Sequence, residues 1–234
     1  MNIISYRSAL AGRGIAVALL PLVAIAQSGI AHAADGSDIF AHGVGSAAAC
    51  AACHGASGEG QPDGGFPRIA GLNAAYIAKQ LDDFAQGTRA NETMGPIAKA
   101  LSEPDRKAVA DYLSRQTPPV QQSTAQAAED VVAAGAKIAE RGDWPKGLAA
   151  CNQCHGPAGM GVGAAFPQIA GQSASYIEKQ LQDWKAGNRG NDPLSLMTGV
   201  ASKLDDDQIK AVAAYFASLE PHATRASEAK EPAR

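Results

Sequence analysis

Aromatic side chains are scarce in this sequence. Phe, Trp and Tyr together make up 5% of 234 residues. A chain long enough for one large or two small domains therefore has few large side chains with which to fill its cores. A buried cofactor is the expected filling. No basic run occurs, and the formal net charge is −3, which argues against nucleic acid and an anionic membrane surface as principal partners. No window after the N-terminal segment approaches the length of a membrane-spanning helix. No alternating apolar pattern is long enough to signal a β-sheet.

The first 33 residues have the character of a secretory signal. Arg7 and Arg13 give a positive start, Ile15 to Ile25 is apolar, and Ala31-His32-Ala33 is a small-residue cleavage motif. The apolar stretch is short for an anchor. Cleavage between Ala33 and Ala34 and export to the periplasm are expected, with at most peripheral membrane association. Losing Arg7 and Arg13 takes the charge from −3 to −5, since no Asp or Glu precedes Asp35.

What the sequence does contain is a repeat. Residues 66–92 and 166–192 match at 15 of 27 positions without a gap. Each copy follows a Cys-x-x-Cys-His unit and precedes a methionine and a closing helix. Two domains are thus expected, at 34–116 and 129–220, with a linker at 117–128 around Pro118-Pro119 and a disordered charged tail at 221–234. Helical spacing recurs in Tyr76, Ile77, Leu81 and Phe84, stopped by Gly87, and in Tyr176, Ile177, Leu181 and Trp184, stopped by Gly187. Ser102 and Asp205 sit at N-cap positions, with Asp105 and Gln208 three residues on. Gly36 and Gly135 lie at matching places in the leading helices, where they would let the closing helices approach.

Four cysteines in an exported chain would ordinarily suggest disulfides. Here Cys50 and Cys53 are followed by His54, and Cys151 and Cys154 by His155, the attachment signature of c-type haem. Two thiols three residues apart on a helical turn reach both vinyl groups of one porphyrin. The next residue then presents its imidazole to the iron. A four-cysteine zinc site would need the pairs to converge from separate domains, and a thioredoxin-like pair needs a βαβ context. Met94 and Met197 follow the histidines by 40 and 42 residues at equivalent places in the repeat, although copy two carries three extra residues around Pro193-Leu194-Ser195. Met160, five residues after His155, has no counterpart in copy one and is read as loop or packing. His42 and His222 are unrepeated and read as surface residues. Arg89 and Arg189 recur; an arginine there suits a haem propionate or is a solvated loop charge.

With these motifs the chain resembles class I cytochromes c, and as a whole the dihaem cytochrome c4 family and related dihaem subunits of dehydrogenases. The resemblance implies an all-α fold of two tandem class I cytochrome c domains, each around one covalently bound haem c. It implies that His54 with Met94, and His155 with Met197, are the axial iron ligands. It also implies that the carbonyls of Pro67 and Pro167, in Pro-x-Ile-Ala-Gly stretches, orient the histidines. The function expected is a periplasmic electron carrier, not an enzyme. Its redox partners would be a quinol-oxidising complex or dehydrogenase on one side and a terminal oxidase or reductase on the other. The alternative is the dihaem electron-accepting subunit of a dehydrogenase complex. A haem enzyme such as a peroxidase would need an open ligand position.

Overall fold

The computed structural model describes residues 34–117 and 127–221. The expected signal segment with its cleavage point, Pro118-Pro119, His222 and the tail beyond Pro221 lie outside the described residues. The described residues fall within one compact unit. Among them no strand forms, only isolated bridges such as Gln61 with Phe66 and Val162 with Phe166. The first half holds α1 (Gly36–His42), α2 (Ala51–His54), α3 (Ala74–Gln86), α4 (Met94–Ala100) and α5 (Glu103–Ser114). The second repeats the order with α6 (Glu129–Arg141), α7 (Asn152–His155), α8 (Ala174–Lys185), α9 (Leu196–Ala201) and α10 (Asp206–Ser218).

Local chemistry sets these boundaries. The Asn73 side chain accepts from the Ala75 and Tyr76 N–H groups to open α3, and Gly87 in the left-handed region ends it. The cap of α8 is Ala186, with Gly187 left-handed just beyond. Ser102 with Asp105 and Asp205 with Gln208 form reciprocal capping boxes at the starts of α5 and α10. His42 lies in the exposed last turn of α1.

Met94 and Met197 belong to the first turns of short helices. In α4 the Asn91 side chain accepts from the Thr93 and Met94 N–H groups at 3.0 and 2.8 Å, and Pro96 fits in the first turn. In the second half the extra residues Pro193–Ser195 form a separate 3-10 turn, with Leu194 and Ser195 left-handed at φ 57° and 53°. The insertion is absorbed ahead of α9, so Met197 keeps its place near a helix start.

The leading and closing helices cross, α1 on α5 and α6 on α10. A Cβ on Gly36 would stand 2.2 Å from the Ala108 carbonyl oxygen, and one on Gly135 2.0 Å from that of Ala211. Tyr112 and Tyr215 flank the same crossings. Two separate apolar clusters result. One gathers Ile39, Phe40, Ile77, Leu81, Phe84, Val109 and Leu113; the other Ile138, Leu148, Ile177, Leu181, Ile209, Val212 and Phe216.

Candidate haem-binding sites

Each Cys-x-x-Cys-His unit is wound into one helical turn. Cys50 and Cys151 precede α2 and α7, and the histidines close them. The His54 N–H donates to the Cys50 carbonyl and the His155 N–H to that of Cys151, both at 2.9 Å. None of the four cysteines is paired in a disulfide. Burial pushes Cys50 and Cys151 up to about 11. Among the described residues no three His, Cys, Asp or Glu side chains gather as a metal cluster, and the zinc reading fails.

Both histidines are buried, with 7% and 9% of their surface exposed. Burial lowers their pKa against the opposing effect of the proline carbonyls, so each is held neutral. Nδ1 of His54 lies 2.9 Å from the Pro67 carbonyl oxygen, and Nδ1 of His155 lies 2.7 Å from that of Pro167. A carbonyl only accepts, so Nδ1 carries the proton and Nε2 keeps its lone pair, the tautomer a metal needs. The proline loops are themselves pinned. Ile69 and Ala70 N–H donate to the Gly58 carbonyl, Ile169 and Ala170 N–H to that of Gly159, and Gly71 and Gly171 N–H to carbonyls at the ends of α5 and α10. Phe66 and Phe166 stand edge-on to the histidine rings at 6.2 and 6.3 Å. This paired thiol and neutral imidazole chemistry fits haem c.

Met94 is half-buried against the first core and Met197 against the second, whereas Met160 is 40% exposed. Arg89 and Arg189 are not solvated loop charges. Each is 7% exposed, and they meet at the junction of the two halves. The Gln180 Oε1 accepts from both, at 2.7 Å from Arg89 and 2.6 Å from Arg189; the Gln80 Oε1 does the same at 2.8 and 3.2 Å. Arg89 also donates to the Tyr176 hydroxyl at 2.9 Å, so that phenol is engaged across the junction rather than by solvent. Arg89 stacks on Phe84 and Arg189 on Trp184. Gln80 and Gln180 were not singled out from sequence. The signal was available: each is a polar residue on the buried face of its helix, identical in both copies.

The cytochrome c family model matches residues 33–117 and again 132–220. A cytochrome c4 of Pseudomonas aeruginosa is 36% identical over 85% of this chain and 96% of its own length. The chain belongs to the dihaem cytochrome c4 family. As such it carries two covalently bound haem c groups and is a non-catalytic electron-transfer protein. A thiosulfate dehydrogenase electron acceptor of Stutzerimonas stutzeri is 47% identical over 86% of this cytochrome and 94% of that protein. The solved thiosulfate dehydrogenase of Marichromatium purpuratum matches 85% of this chain with a TM-score of 0.73 and 43% identity. This cytochrome spans only 42% of that chain. Among the described residues no helix is long and apolar enough to cross a membrane.

Proposed function

We propose that this cytochrome is the periplasmic electron acceptor of a thiosulfate-oxidising dehydrogenase. Its similarity to proteins of that description carries the reading: 47% identity over nearly the whole length, against 36% to the cytochrome c4 of P. aeruginosa. In the reading, Cys50 and Cys53 hold one haem through thioethers, and Cys151 and Cys154 the other. His54 and Met94 ligate one iron, His155 and Met197 the second. When bound, each haem supplies a one-electron couple, which His/Met ligation biases towards Fe(II). Pro67 and Pro167 hold the imidazole rings in the ligating orientation. Arg89 and Arg189 offer buried cations to the haem propionates, because their side-chain hydrogen-bond partners are neutral amides and the Tyr76 and Tyr176 phenols. The domains run over 34–116 and 129–220. Export with cleavage after Ala33 is supported at the N-terminus that cleavage would create, where the Ala34 nitrogen donates to Asp105 at 3.0 Å. That carboxylate suits a free α-ammonium group.

The experiment mixes the oxidised dihaem protein with the thiosulfate dehydrogenase of its own organism and follows the reduced haem band. Rapid reduction that requires both thiosulfate and the dehydrogenase is expected. No reduction by that enzyme, together with rapid reduction by a quinol-oxidising complex, would replace the proposal with a general respiratory carrier.

A further inference from the structure

The proline loops that orient the two histidines are joined to each other, and the joint is asymmetric. Arg68 follows Pro67 directly, whereas its equivalent after Pro167 is the neutral Gln168. Arg68 is 4% exposed. Its guanidinium donates to the Ala70 carbonyl at 2.6 Å and to the Ala170 carbonyl at 2.9 Å, one from each loop. Its backbone N–H donates to the Gln172 side-chain oxygen at 3.0 Å, and its carbonyl accepts from the Gln172 amide at 2.9 Å. Nε is buried without a partner. The guanidinium's partners are thus backbone carbonyls, one from each half, with no carboxylate to neutralise it. Burial favours its neutral form, yet leaves its pKa at about 10, so the charge persists at neutral pH.

We infer that Arg68 is a positioning residue for electron transfer, a buried cation that clamps both histidine-orienting loops together and raises the midpoint potentials of both haems. Two physical steps lead there. A guanidinium planar fork spans two carbonyls in a fixed geometry, which a lysine ammonium does not reproduce. A positive charge in a poorly solvated junction opposes the extra positive charge of Fe(III), and burial and local charge are levers on haem potential. Gln168 cannot supply that charge from the second half, so removing Arg68 removes this influence from both haems at once. The inference rests on the assignment of His54 and His155 as iron ligands.

The test uses the mature dihaem protein with Arg68→Gln and Arg68→Lys. Haem content by pyridine haemochrome comes first: fewer than two haems in the wild type would sink the ligand assignment rather than the role of Arg68. Spectroelectrochemical titration should then show both midpoint potentials lowered in R68Q and retained in R68K. The clamp is read from the imidazole Nδ1–H proton signals of the reduced protein. In both variants they should exchange with solvent faster than in the wild type, because neither side chain spans the two carbonyls. Unchanged potentials in R68Q, or an equal fall in both variants, would overturn the role of the charge. Wild-type exchange in both variants would overturn the clamp. If R68Q fails to mature, R68K alone decides: wild-type potentials support the inference and lowered ones overturn it.

Discussion

Replacing Gly135 with alanine tests the packing on which each haem-bearing half depends. The new Cβ would lie 2.0 Å from the Ala211 carbonyl oxygen, 2.5 Å from its carbon and 2.9 Å from the Tyr215 Cβ. Two of these atoms are backbone and cannot rotate aside, so α6 and α10 must part. Overpacking of this kind costs about 1–3 kcal/mol, and a clash with backbone belongs at the upper end. Alanine returns about 1 kcal/mol through its helix propensity. The net loss is about 2 kcal/mol, which for a chain of this size lowers Tm by about 4–8 °C. Gly36→Ala should behave alike, since its Cβ meets the Ala108 carbonyl oxygen at 2.2 Å. Gly190→Ala, which meets nothing within 4 Å, should melt with the wild type. Calorimetry of the three variants is the assay. A Gly135→Ala protein that melts at or above the wild-type temperature would refute the close-crossing argument.

Two further outcomes are expected. Met94→Ala should halve the weak far-red thioether-to-iron absorption of the oxidised protein and open one haem to carbon monoxide, while Met160→Ala leaves both properties unchanged; the opposite pattern would reassign the ligand. Asp105→Ala should lower the Tm by removing the side-chain half of the capping box of α5, the Ser102 hydroxyl still accepting from the backbone N–H at 105. The Ser102 hydroxyl is the first cause holding the Asp105 carboxyl below its ordinary value. A depressed carboxyl stabilises the fold above the unfolded pKa of about 3.9 and loses that effect as pH falls through the folded one. The difference between wild type and variant should therefore be full at neutral pH and shrink in acid, and a constant difference would count against it.

The helices were legible because their signals are local. Gly87 and Gly187 stop the helices before them, Ser102 and Asp205 cap those after, and Gly36 and Gly135 mark the crossings. The proline carbonyls lie 2.9 and 2.7 Å from Nδ1 of His54 and His155, in loops that recur in both copies. The short helices at Met94 and Met197 were missed because their caps come from side chains further back, Asn91 and Asp192, which read as loop residues. The junction escaped for a different reason. Helical periodicity says which face of α3 is buried but not that Gln80 on it meets Arg189, 109 residues away. An arginine pair recurring in a repeat looks like two copies of a surface feature until the copies are seen to face one another.

The stitched junction bears on how the protein responds to its solvent. Arg68, Gln172 and the Arg89–Arg189 cluster leave the two halves no room to pivot without breaking buried hydrogen bonds. The separation of the two histidine-bearing loops is then a constant of the fold rather than an average over postures. Thickening the medium with glycerol should therefore slow the encounters that load and unload the protein without changing that separation.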